Sequence, residues 1–293
     1  MRCKLSSGPL QAAIDTFGGE LVSLQDAAGT EYIWQGDPAY WGGRNPLLFP
    51  IIGKLKNETV CFDGTPYPIP KHGIARKREF TLLEQSTDYA RLELREDTAS
   101  LEVYPYPFAL QVEHRLHPDG FTTTIQVENT GDRPMPFTIG GHTGFCCPLF
   151  ENTRFEDYQV VFDQPEDAST ILVTPQGLLS SGGQEPTLTQ QRYLDLDYAE
   201  FARLDTYVLE NLRSTGVSLK HKQSGRGVRM DFSQFPMLGI WTVGAKQAPF
   251  LCLEPWHGCP AYDNDSGEFR DKPHCIVLQL GETKKLSYTV TIL

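Results

Sequence analysis

Residues Phe250 to Leu253 form an apolar run that ends in a carboxylate, Glu254, and Pro255 directly after it is expected to stop the strand. A carboxylate at the end of such a run is costly to bury unless it is hydrogen-bonded or used. Trp256 lies two residues on from Glu254. An indole packs well on the C–H face of a sugar ring while its N–H donates a hydrogen bond, and a carboxylate beside it can take a hydroxyl proton.

A second candidate is His142, in Ile139-Gly140-Gly141-His142-Thr143-Gly144-Phe145, where the glycines let backbone or ligand approach closely. An imidazole gains and loses a proton near neutral pH, which suits acid–base chemistry. His72 is a third, a His-Gly step among basic residues in Lys71-His72-Gly73-Ile74-Ala75-Arg76. His114, in register with Leu110, Val112 and Leu116, reads instead as a hydrogen-bonded core residue. Trp34 and Trp41 join Trp256 as candidate sugar platforms, since both lie near polar turn segments.

Other signatures fail. Cys252, His257 and Cys259 are close together, but no fourth soft ligand stands at zinc-like spacing. Asp263 to Glu268 begins like a calcium loop, yet Gly267 occupies a ligand position and His274 stands where the closing glutamate belongs. No phosphate-cradling loop, dinucleotide fingerprint or nucleophile elbow is present. The expectation is chemistry with no metal and no other cofactor.

The elements that must position these residues are strands. Phe121, Thr123, Ile125 and Val127 alternate with Thr122, Thr124, Gln126 and Glu128, and Asn129 to Asp132 close the run as a turn. The same period recurs at Leu92 and Leu94, at Val228, Met230 and Phe232, and at Leu286, Tyr288, Val290 and Ile292. Helical periodicity is confined to a short run from Asp197 to Leu204. The stretch from Asp163 to Gln191, rich in Pro, Gly, Ser, Thr and Gln, reads as a long surface excursion. With no internal repeat and no linker, residues 1–293 are expected to form one mostly-β domain, a large antiparallel β-sandwich.

Composition bounds the partners. A formal charge of -11 opposes binding to nucleic acid and to anionic membranes. Neither a signal-peptide core nor a membrane-length apolar stretch is present, and the 7 cysteines are an odd number without framework spacing. A soluble, cytoplasmic protein is expected, with its oligomeric state open.

Read in order, Arg44 to Leu55, His72-Gly73 with Ala75-Arg76, Gly141-His142, Leu204 to Tyr207 and Leu253 to Trp256 resemble the aldose 1-epimerase superfamily. More narrowly, they look like its LacX-like branch. The blocks span nearly the whole chain. The resemblance implies a galactose-mutarotase-like β-sandwich with a monosaccharide in an open cleft, Glu254 as general base and His142 as general acid. It further implies that His72 and Arg44 hold sugar oxygens, that Asp205 accepts hydroxyl hydrogen bonds, and that Arg76 and Lys54 lie near the cleft. Ionised Glu254 and protonated His142 are the expected resting forms. His257 departs from the family pattern, as an added imidazole expected at the rim.

The expected activity is interconversion of the anomers of a free aldohexose. Alternatives are a hexose 6-phosphate as substrate, a glycosidase using Glu254 and Asp205 as paired carboxylates, or a sugar-binding protein without catalysis.

Overall fold

The computed structural model describes residues 1–293. Two antiparallel sheets dominate. The larger has nine strands, in the order Leu179–Asp195, Tyr158–Val173, Gly216–His221, Gly227–Asp231, Thr283–Ile292, Gly120–Asn129, Phe108–His117, Tyr89–Arg95 and Thr81–Gln85. The smaller runs Thr206–Glu210, Met237–Trp241, Phe250–His257, Ile139–Gly141 and Leu47–Leu48, with Thr143–Cys146 also paired to Phe250–His257. A three-stranded sheet is built from Arg2–Ser7, Leu10–Asp15 and Glu20–Gln25.

The strands with clear alternation lie in the nine-stranded sheet and turn Leu92, Leu94, Phe121, Ile125, Val127, Val228, Met230, Leu286 and Val290 into the main core. Leu238, Ile240, Leu251 and Leu253 meet them from the six-stranded sheet, which makes the molecule a β-sandwich. The short helix Tyr198–Leu204 is capped by the Asp197 side chain on Ala199 N–H, matching the sequence reading. His114 is a satisfied core residue, bonded to Thr123 Oγ1 and Gly19 O. No helix is long and apolar enough to cross a membrane.

The stretch from Asp163 to Gln191 is not a loose excursion. It belongs to a long hairpin, Tyr158–Val173 with Leu179–Asp195, whose register shifts at several bulges. Its composition looks loop-like because most of the outer strand is exposed, so little apolar patterning is required.

Candidate active site

The site is built on the face of the six-stranded sheet turned away from the main core. The strand from Phe250 does not stop at Pro255 as the sequence suggested but runs to His257, because the missing N–H falls beside the break at Gly141-His142, where that neighbour makes no ladder pair. Along it Leu251 and Leu253 enter that core, while Cys252, Glu254 and Trp256 take the opposite face. Gly140 pairs with Trp256 and Thr143 with Leu253, one register on both sides of a break at Gly141-His142. That register sets His142 opposite Glu254, with Nε2 3.4 Å from a carboxylate oxygen and both side chains buried. On the other flank Gly239 pairs with Glu254. A Cβ at Gly239 would stand 2.6 Å from the Trp256 ring, so the missing side chain makes room for the indole.

Loops complete the enclosure. His72 sits in a turn closed by Gly73 N–H to Pro70 O at 2.7 Å. Its φ of 65° is strained for a residue with a Cβ, and a two-point clamp holds it: its N–H donates to Gly53 O at 2.9 Å, and Gly53 N–H donates to Nδ1 at 3.1 Å. Because a backbone N–H only donates, Nδ1 carries no proton and Nε2–H is the ring's donor. Gly73 cannot be replaced, since a Cβ there would lie 2.1 Å from Phe49 O. Asp205 ends the Tyr198–Leu204 helix at φ 67°, a second strained residue at the pocket.

Glu254, His142, His72, Asp205 and Trp256 line one cavity of about 270 Å³. Trp41 lies there too, stacked on the His142 ring at 4.8 Å, with Trp241 edge-on to the same ring at 5.5 Å. Residues that sequence reasoning missed also line it: Lys71, Tyr40, Thr206, Trp241 and the hairpin residues Val173 and Leu179. Lys71 stood in a motif already singled out, and Trp241 carried no local signal.

Three expected site residues fall outside the lining. Arg44 is used by its backbone, whose N–H donates to Glu20 at 3.2 Å and whose carbonyl accepts from Gly144 N–H. Arg76 lies in the 3-10 turn Ala75–Lys77, within electrostatic reach of Glu20 and of both histidines. Lys54 reaches the hairpin tip, Nζ to Gln176 O at 3.3 Å, and lines an adjoining groove. Trp34 is likewise no platform: it is buried against Phe250, and its N–H donates to Trp41 O at 2.8 Å. His257 points away from the cavity to the carbonyl of His274, because it occupies the alternate strand face.

Burial governs the protonation of the pair. It pushes the Glu254 carboxyl up to about 8, opposed by the Lys71 cation and by the neighbouring Trp256 N–H, and reinforced by Asp205. It drives His142 down to about 3, with Lys71 and Arg76 acting in the same direction. The ionised-Glu254, protonated-His142 resting state expected from sequence is therefore disfavoured, since burial penalises both charges. Between about 3 and about 8 the favoured arrangement is a protonated Glu254 carboxyl beside a neutral His142 imidazole. Burial also holds His72 well below its ordinary range, so it stays neutral.

His142, Glu254 and Cys252 present donor atoms within 4.8 Å of one another.

A large β-sandwich carrying a buried carboxylate–imidazole pair in a pocket on one sheet defines a mutarotase-type fold. The aldose 1-epimerase family model matches residues 1–290, and the chain belongs to that family. It is 37% identical over the full length of both chains to the chromosomal protein LacX of Lactococcus lactis subsp. lactis. The galactose mutarotase related enzyme from Lactobacillus acidophilus superposes with a TM-score of 0.95 at 26% identity, covering 100% of this chain and 97% of that one. A galactose mutarotase-like protein from Lactobacillus casei gives 0.92 at 26% identity, with 100% of each chain covered.

Proposed function

We propose that the protein is an aldose 1-epimerase that interconverts the α and β anomers of a free aldohexose, with the whole chain acting as one domain. One observation carries the reading. Glu254 Oε2, His142 Nδ1 and Trp256 Nε1 are buried and lack a hydrogen-bond partner, and all three side chains line the same pocket. Buried polar groups are normally paired, so three around one cavity favour a ligand rich in hydroxyls.

The chemistry needs one proton removed and one delivered. Glu254 takes the proton of the C1 hydroxyl; the electron pair left on that oxygen forms the carbonyl as the C1–ring oxygen bond breaks; His142 protonates the leaving ring oxygen. Rotation about C1–C2 and the reverse steps close the other anomer. On closing, Glu254 returns its proton to the C1 oxygen and His142 takes back the ring-oxygen proton, so each turn restores the starting protonation. In this reading His72 Nε2–H donates to a sugar oxygen, Asp205 accepts from a hydroxyl, and Trp256 packs against the ring. Arg44, Arg76 and Lys54 support the loops that carry these groups. Seven free cysteines suit a reducing compartment, and we place the protein in the cytoplasm.

A hexose 6-phosphate is the second reading, favoured by Lys71 in the pocket and Lys54 in the adjoining groove. Polarimetry of freshly dissolved α-galactose, α-glucose and their 6-phosphates tests both. The free sugars should reach equilibrium rotation faster with protein than with buffer. A clear preference for the 6-phosphates would change the substrate class, and no acceleration across an aldose panel by folded protein would refute the enzymatic reading.

A further inference from the structure

Lys71 is the one Lys or Arg among the pocket-lining residues. It immediately precedes the clamped His72 in the tight turn closed by Gly73 N–H to Pro70 O, so its backbone cannot drift from the pocket mouth. The residue is exposed overall, yet the protein around its ammonium lowers its pKa, and Asp205 and Glu254 oppose that effect. Neither carboxylate forms a hydrogen bond with it, so the interaction acts through space. A cation beside a buried acid stabilises the ionised form, and in a low-dielectric site it does so without contact.

The charged surroundings are few. Glu254 is faced by His142 from the break opposite its strand, by Asp205 from the helix end, by Cys252 on its own strand and by Lys71 from the turn. Asp205 pushes its ionisation away from neutrality, and Lys71 alone among the ionisable neighbours draws it back. Arg76 and Lys54 act on Lys71 itself as like charges.

We propose that Lys71 is the charge that keeps the proton of the Glu254–His142 pair exchangeable at neutral pH, a positioning residue that acts through Glu254. Without it, the buried carboxyl would hold its proton into the alkaline range and would be a poor base at neutral pH. The inference rests on the acid–base reading of the pair, but it makes a claim about the protein that can be measured without any sugar.

The test is an infrared titration of the protonated carboxyl band, assigned to Glu254 by its disappearance in Glu254→Gln. In Lys71→Met the band should persist to higher pH, with its midpoint raised by roughly one pH unit. Lys71→Arg should bring the midpoint back toward the wild-type value. Where the protein accelerates mutarotation, the alkaline limb of kcat/KM against pH should move in parallel. Thermal melts verify folding, and Lys71→Gln removes the same charge should the Met variant not fold. An unchanged midpoint in the folded neutral variants overturns the proposal, as does a rate scaled equally at every pH. An absence of mutarotation with every aldose would refute the enzymatic reading and leave the infrared result to decide the role of Lys71.

Discussion

Two strands show how differently the two sheets are used. Gly120–Asn129 buries Phe121, Ile125 and Val127 on the core side and leaves Thr122, Gln126 and Glu128 half-exposed, so one face works and the other is wet. Phe250–His257 is buried along nearly its whole length, because Leu251 and Leu253 face the core, Cys252 packs against Trp34 and Phe250, and Glu254 and Trp256 face the pocket. The first strand can be optimised for packing alone. The second must hold an acid and face an imidazole away from water, and that arrangement works against stability while preparing the groups for proton transfer.

The largest effect expected from this contrast is at Glu254. Glu254→Gln keeps the shape and removes the proton acceptor, so turnover in polarimetry should fall ~10²–10⁴-fold while sugar affinity holds and the melting temperature does not fall. A lower melting temperature with an unchanged rate per folded molecule would instead make Glu254 structural and erase the contrast.

The opposite outcome is expected in the nine-stranded sheet. Ile125 is fully buried between Val112 and Leu286, and Ile125→Ala should cost about 2–5 kcal/mol in denaturant unfolding. The rate per folded molecule should stay at the wild-type value, because that position lies in the nine-stranded sheet and is not part of the pocket lining. A loss of rate in the folded fraction would show that the two sheets are not separable.

The smallest effect sharpens the comparison through pH. The folded Glu254 carboxyl lies above its ordinary value of 4.5, so the unfolded chain binds fewer protons as pH rises from there to about 8. Wild type should therefore lose melting temperature relative to Glu254→Gln across that window. His142 lies below its ordinary 6.5, so its burial should cost stability as pH falls from there toward about 3. Ile125→Ala should run parallel to wild type throughout. A constant gap between wild type and Glu254→Gln would show that the carboxyl is not held protonated by the fold.

Legibility in the sequence followed the same division. Strands at Tyr89–Arg95, Gly120–Asn129, Gly227–Asp231 and Thr283–Ile292 could be read because one wet face forces alternation. The hairpin from Tyr158 to Asp195 could not, because an exposed, bulged strand carries little apolar pattern. Within the site, Glu254 and Trp256 stood out as a carboxylate and an indole breaking an apolar run. Arg44, Arg76 and Lys54 came only from family resemblance, and the structure keeps them out of the lining. Lys71 was visible only as one charge in a basic stretch, since through-space pairing with Asp205 and Glu254 leaves no trace in local spacing.

The sequence by itself determined the all-β class, the nearness of Trp256 to Glu254 and the presence of two histidines beside glycines, all of which depend on residue type and near spacing. Only the tertiary structure decided that His142 stands opposite Glu254, that His72 presents Nε2–H, and that charge is disfavoured on both members of the pair. The first is a strand register between segments more than a hundred residues apart, the second a clamp from Gly53, and the third a matter of burial. Register, distant hydrogen bonds and desolvation are properties of the packed chain, and no window of local sequence contains them.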